Sequence, residues 1–322
     1  MDHRSRHARA VQVLALATIF WGLSFPTMKA LGLIQQQLLP DNSTWFGTAL
    51  MVTIRFTAAA LIIGLWMGLK LNRITRLEVW QGIGLGVFGG VGLLFQMDGL
   101  NYTEASTSAF LTQSYCIFLP TIAAIRQKKL PSIGVLIATG MMIVGIAILT
   151  GFDWRRFHLG RGELETLVGS VIFTGQILWL ARPVFSDNNV NHFSFVMFST
   201  IALISAPLTL VMMRSPSDLK IAFASVHILW LTLILVLFCT IIAYLLMNRW
   251  QPGVSPTEAG LIYGLEPLFA SLFALFLPAF YSSIAGISYT NELFTRSLVL
   301  GGGLILLANV IVQLYPGQSD KP

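Results

Sequence analysis

Apolar residues in this chain run in long blocks and do not alternate with polar ones. Ten blocks reach or approach the ~20 residues that cross a ~30 Å hydrocarbon core, near 11–33, 46–69, 79–97, 106–125, 133–151, 164–181, 193–213, 226–247, 257–277 and 297–315. The connections are mostly shorter than twenty residues, too short to hold a soluble catalytic domain. The pattern predicts an all-α polytopic membrane protein with ten transmembrane helices.

A smaller pattern occurs twice on these blocks. Ile19-Phe20-Trp21-Gly22 is followed seven residues after the glycine by Lys29, and Ile172-Phe173-Thr174-Gly175 is followed at the same distance by Arg182. Each copy opens a half with five apolar blocks. Five is odd, so the second half enters the bilayer upside down relative to the first. The expected organisation is two inverted five-helix repeats, residues 1–151 and 163–322, joined by a connecting loop at 152–162. Inverted repeats with a site between them characterise secondary transporters. Weaker matches pair Ser108 and Pro120 with Ser255 and Pro267, and Gly140 and Gly145 with Gly303 and Ala308. The second half carries an insertion at 278–293 rich in Ser, Tyr and Gly. Glycines crowd block three (Gly82, Gly84, Gly86, Gly89, Gly90, Gly92) and interrupt block ten (Gly301 to Gly303), which reads as close helix packing or as a hinge.

Composition agrees: 55% of the 322 residues are apolar and 11% charged, against roughly a quarter charged in soluble domains. Arg4, Arg6 and Arg9 precede the first block as in a signal peptide. However, the apolar run continues through Trp21 to Pro26 with no cleavage site, so block one is a retained helix. Cys116 and Cys239 lie singly in blocks four and eight and imply neither a disulfide nor a metal site. The net charge of +6 is better explained by topology than by nucleic acid. With the N-terminus inside, twelve Lys and Arg fall on the inner side and six on the outer, leaving Lys29 and Arg55 within blocks. Only the basic loop at 152–162 runs against the rule. The expectation is a multi-pass protein of the cell (inner) membrane with both termini cytoplasmic.

Several runs resemble the EamA-type repeats of the drug/metabolite transporter superfamily. They are Phe20-Trp21-Gly22 with Lys29, Arg55-Phe56, and Tyr102 to Thr112 with Pro120. In the second half they are Ala243 to Asn248, Ser255-Pro256-Thr257-Glu258-Ala259 and Leu265-Glu266-Pro267. The resemblance spans essentially the whole chain. It implies a central cavity walled mainly by helices one, three, four, six, eight and nine, and export of amino acids or related small metabolites by alternating access. Multidrug or nucleoside and nucleotide-sugar transport within the superfamily is the alternative. The chain departs from the family where an acid commonly follows helices four and nine: here stand Arg126-Gln127-Lys128-Lys129 and, beyond the insertion, Glu292.

Glu266 is an acid near mid-span, beside Pro267. Such acids suggest proton or substrate-amine binding, or a structural bond to a neighbouring helix. Pro267 removes a backbone donor and loosens the helix there. Ser255, Pro256 and Glu258 spell a capping box. Arg55 lies deep in block two with no acid on its own helix, so a fixed ion pair with another helix or a substrate contact is expected. Lys29 and Arg182 anchor helix ends by snorkelling, or act as gate charges. The expected substrate-binding set is Trp21, Ser24, Phe95, Gln96, Thr112, Tyr115, Thr174, Trp179, Tyr244, Tyr263 and Glu266: aromatic walls with a few polar atoms, suited to a small amphipathic ligand. No Walker loop, metal-ligand spacing or paired intramembrane acids occur, so neither cofactor nor enzyme chemistry is expected. A passive channel is the remaining rival. The expected partners are an amino acid-like small molecule, the lipid bilayer and, as a coupling ion, the proton; no nucleic acid is implied, and the oligomeric state stays open.

Overall fold

Helix starts follow local chemistry. Ser43, Thr75, Asn189, Ser225 and Ser255 each place a side-chain oxygen over the first free backbone N–H groups of a helix, the groups that no intrahelical carbonyl reaches. At Thr75 the cap is reciprocal, with the Glu78 carboxylate accepting from the Thr75 N–H at 2.7 Å. At Ser255 only half of the expected box forms. Ser255 Oγ accepts from the Glu258 N–H at 3.2 Å, but the Glu258 carboxylate turns to His7, 2.8 Å away.

A computed structural model describes residues 3–126, 128, 133–149 and 159–314. Among them are helices and connections and no strand. In chain order the α-helices are α1 (His3–Leu38), α2 (Thr44–Met67), α3 (Arg76–Gly99), α4 (Ala105–Thr112), α5 (Tyr115–Arg126), α6 (Ile133–Leu149), α7 (Arg161–Leu180) and α8 (Val190–Met212). There follow α9 (Pro216–Ala224), α10 (Val226–Ile234), α11 (Ala243–Trp250), α12 (Pro256–Tyr263), α13 (Glu266–Ala274), α14 (Leu277–Ala285) and α15 (Arg296–Leu314). A π-helical stretch, Leu235–Ile242, joins α10 to α11. Residues 152–158 of the expected connecting loop, with Arg155, Arg156 and His158, lie outside the described residues, as does Lys321.

Every apolar block falls on helix, but not all as a clean span. Among the described residues, five helical stretches are long and apolar enough to cross a bilayer: Arg6–Leu38, Thr44–Arg73, Arg76–Gly99, Val190–Met212 and Val226–Gly253. A sixth is counted when Pro256–Ala274 and Leu277–Ala285, bent by 50°, are taken together. The other four blocks fall short for identifiable reasons. Block four breaks at Gln113–Ser114. Blocks five and ten yield shorter apolar helices, Leu136–Leu149 and Arg296–Ala308. Block six carries Glu163, Glu165 and Gln176 within α7.

Packing settles the glycine question in favour of close approach. Helix α3 is continuous and lies between α7 and α8; α2 packs on α8, α6 on α15, and α1 on α11 and α13. Gly82, Gly86 and Gly90 form one stripe of α3, against Val196, Thr200 and Ile201 of α8. Gly84, Gly89 and Gly92 turn to Trp179, Gln176 and Phe173 of α7. At the end of this crossing backbone meets backbone: a Cβ on Gly162 would stand 2.6 Å from the Gly99 carbonyl oxygen, and one on Gly99 2.8 Å from that of Gly162. Gly145 and Gly301 meet in the same way between α6 and α15. Gly140 and Gly303, which the sequence matched between the two halves, have nothing within 4 Å.

Candidate functional site

Two helix breaks meet at the centre of the molecule. The first lies between α4 and α5 at Gln113–Ser114, the second between α12 and α13 at Gly264–Leu265. Each begins nine residues after the residue that precedes its helix, Glu104 in one case and Ser255 in the other. This places Glu104, not Ser108, opposite Ser255 and shifts the sequence correspondence by one helical turn.

A break leaves carbonyls without their usual partners, and these must be satisfied from neighbouring helices. Pro267 has no N–H to give the carbonyl four residues back, that of Tyr263. Gln113 Nε2, from the other break, donates to it at 2.8 Å. In the first break the Thr112 carbonyl accepts from Ser170 Oγ of α7 at 2.7 Å. Each half therefore repairs the other.

The residues flanking the breaks face one cavity of about 70 Å³, room for roughly five waters at one probe sphere each. Eight of the eleven sequence-predicted residues line it: Trp21, Ser24, Gln96, Thr112, Tyr115, Tyr244, Tyr263 and Glu266. The Trp21 ring stands edge-on to those of Tyr244 and Tyr263, at 5.8 and 5.3 Å. Gln96 Nε2 donates to Thr112 Oγ1 at 2.8 Å. Glu266 is 7% exposed and, among the described residues, has no hydrogen-bond or ion-pair partner.

Three predicted residues lie elsewhere. Phe95 packs edge-on against Trp45 at 5.5 Å. Thr174 is buried in α7 and donates to the Ser170 carbonyl. Trp179 stacks among Trp80, Phe88 and Phe185, with the Arg182 guanidinium 4.6 Å from its ring. The period of the helix explains two of the three. Phe95 is the sequence neighbour of Gln96, and a neighbour on a helix points about 100° away; Thr174, two residues from Gln176, points roughly 160° away from it. Trp179 shares the face of Gln176 but stands about one turn further along α7, beyond the cavity lining. Gln176 is the side chain that α7 presents to the cavity, with Phe173 and Ile177. A glutamine inside an apolar block was the available signal.

Arg55 also lines the cavity, without the ion pair expected for it. It is 3% exposed, and its guanidinium donates to Thr240 Oγ1, to the Cys239 carbonyl at 3.0 Å and to Met28 Sδ at 3.4 Å. Among the described residues no carboxylate pairs with it. The π-helical turns at 235–242 present the Cys239 carbonyl and Thr240 hydroxyl on one side, and Thr240 Oγ1 also donates back to Leu235 O. Widened turns of this kind recur at functional sites, and nothing in the apolar run announced this one.

The two ends of the molecule differ. Beside the start of α1 opens a vestibule of about 530 Å³ that Arg6, Arg182 and Arg249 help to line. Gln251, 1% exposed, separates it from the cavity, donating to the Ile177 carbonyl and accepting from Tyr263 Oη. The opposite end is tied by polar contacts. Lys29 donates to the Thr103 carbonyl and pairs with Glu104 at 2.9 Å, so it is tied across helices and does not snorkel. The insertion supplies α14 and a loop, and Glu292 accepts from the Ala105 N–H at 2.8 Å at the start of α4.

Burial, reinforced by the nearby Glu104 carboxylate, holds Glu292 above the usual carboxylate range, against the opposing hydrogen bond from Ser106 and the charge of Lys29. Such an acid keeps its proton longer in the folded protein than in the unfolded chain. Stability therefore falls as pH rises from the usual carboxylate range through the raised value. Glu292→Gln is expected to flatten that slope in a series of thermal melts across weakly acidic pH. An unchanged slope would place the responsible proton elsewhere.

Residues 8–151 match the EamA-like transporter family. A protein of Archaeoglobus fulgidus described as an uncharacterized transporter is 28% identical over 94% of this chain and 84% of its own length. A second from the same organism, described in the same words, is 23% identical over 85% of this chain and 92% of its own. A solved crystal structure superposes over 98% of this chain and 99% of its own with a TM-score of 0.57 at 16% identity, which bears on the fold alone.

Proposed function

We infer that this chain, whose residues 8–151 match the EamA-like transporter family, exports amino acids or closely related small metabolites as a secondary transporter. Glu266 carries the reading: a buried acid without a partner among the described residues, on the wall of a cavity where two broken helices meet. An intramembrane acid left in that state is expensive unless a proton or a bound cation compensates it.

Alternating access follows from an inverted-repeat reading of the packing. The first half consists of α1, α2, α3, the broken pair α4–α5, and α6. Its counterparts are α7, α8, the α10–α11 stretch, the broken pair α12–α13, and α15. Exchanging the halves maps the α2–α8 and α6–α15 contacts onto themselves, and α3 on α7 onto α1 on α11. That relation supports ten membrane-crossing elements arranged as two inverted sets. The vestibule opens beside the start of α1, the end that the Lys and Arg balance assigns to the cytoplasm. Gln251, with its partners Ile177 and Tyr263, stands between that end and the cavity.

The test is counterflow in proteoliposomes loaded with amino acids, nucleosides or cationic drugs. Exchange of labelled amino acids is the expected result. Exchange of drugs alone would assign the multidrug alternative, and unsaturable flux would indicate a channel.

A further inference from the structure

The cavity is lined by an acid and a base together. Glu266 is its acid and Arg55 its base, and among the described residues neither is paired with a group of opposite charge. Two further donors face no acceptor: Trp21 Nε1 and Gln176 Nε2 are buried without a hydrogen-bond partner, and both residues line the same space. Buried polar groups are nearly always satisfied, so orphans gathered around one cavity point to something that occupies it. Here the orphans are donors, and they share the cavity with a guanidinium.

We propose that Arg55 is the anchor for the carboxylate of a zwitterionic substrate, with Trp21 Nε1 and Gln176 Nε2 as supporting donors and Glu266 receiving the ammonium group. This rests on the reading of the cavity as the substrate site and narrows it to molecules that carry both charges.

The guanidinium is suited to the role because its existing bonds orient it without neutralising it. Thr240 Oγ1 and the Cys239 carbonyl hold Nε and Nη2, and Nη1 is left with the Met28 thioether, a weak acceptor. A carboxylate would replace that contact with a charge-assisted bond. A ligand bearing only an ammonium group would leave Arg55 unpaired, and one bearing only a carboxylate would leave Glu266 unpaired. Each leaves a desolvated charge without compensation, which is how buried charged sites discriminate. The cavity is small, so the zwitterionic head fits it and a bulky side chain would require it to widen.

The experiment uses the full chain in proteoliposomes, with counterflow of labelled L-alanine, L-leucine and L-phenylalanine. Competitors are the unlabelled amino acids, their amides, which lack the carboxylate, and their N-acetyl derivatives, which lack the ammonium group. The wild-type protein is expected to prefer the intact amino acid over both derivatives by about 30-fold or more. In Arg55→Gln the amino acid falls to the level of its amide while the amide is unchanged; Arg55→Lys keeps the charge and recovers part of the preference. The wild-type competition series decides the matter even if neither variant folds. Amides that compete as well as the amino acids would overturn the role of Arg55 while leaving amino acid transport in place. Failure of all three amino acids to exchange, with drugs or nucleosides active, would overturn the transport reading itself.

Discussion

Glu266→Gln is expected to leave the protein folded and to slow counterflow by about tenfold or more, the order lost with one charge-assisted contact to a bound ligand. The amide nearly matches the carboxyl in size, so the packing of Tyr115 and Tyr263 around the cavity stays as it is. What disappears is the ability to lose a proton or to hold an ammonium group. The pH dependence of transport flattens with it, since the other titratable cavity groups, Tyr115, Tyr244, Tyr263 and Arg55, are of types that ordinarily titrate far above neutrality. Glu258→Gln is the control. Its carboxylate faces His7 at the start of α1, so the exchange shifts stability slightly and leaves the pH profile alone. A lowered melting temperature in Glu266→Gln, with unchanged transport per folded molecule, would make that residue structural.

Gly162→Ala is expected to be a strongly damaging single-methyl change. A Cβ there meets the Gly99 carbonyl oxygen at 2.6 Å and the Thr103 backbone nitrogen at 3.0 Å. Neither is the end of a side chain that can swing away, so α3 and α7 must separate along a crossing built on Gly92, Gly99, Gly162 and Gly169. Overpacking of this kind costs about 1–3 kcal/mol, and the loss of neighbouring contacts along the crossing adds to it. The measurement is the fraction of purified protein that stays monodisperse after heating. Gly140→Ala, where nothing lies within 4 Å, should match the wild type. Equal tolerance at both positions would contradict the packing role of the α3 glycines.

The sequence carried the helical nature of the chain and the position of the long apolar helices, because an apolar block admits few other structures in lipid; α9 and α14 fell in segments read as a connection and an insertion. It carried less of the helix interiors. Block length could not distinguish α2, which crosses without interruption, from α4–α5, which breaks at a Gln-Ser pair that no proline or glycine marks. Pro267 did mark the second break, though only its partner Gln113 explains where the freed carbonyl goes. For the cavity, aromatic and hydroxyl types on the right helices brought out eight residues. Helical phase removed Phe95 and Thr174 and added Gln176, and distance along α7 removed Trp179. Arg55 was visible as an oddity, and its meaning changed once no acid came to meet it. The Asp98–Arg161 pair, 2.6 Å apart with the aspartate fully buried, escaped notice because its members stand 63 residues apart in sequence and meet only after α3 and α7 cross.

The insertion makes the two ends of the molecule unequal. Only six residues, 127–132, separate α5 from α6, whereas 275–295 separate α13 from α15. The longer connection lays α14 and Glu292 over one end and ties Tyr281 to Thr27 of α1. For a carrier that alternates between two facings, that extra latch enters the resting equilibrium. The facing that must undo it is less populated, by a factor of ten for each ~1.4 kcal/mol that the latch contributes. A ligand arriving from the latched side then meets a smaller competent population and shows a correspondingly weaker apparent dissociation constant. No concentrative work results, because the final gradient is still set by the driving ions and the substrate. The asymmetry appears in the half-saturation values from the two sides, which should differ in the intact protein and converge as the contacts of the insertion are removed.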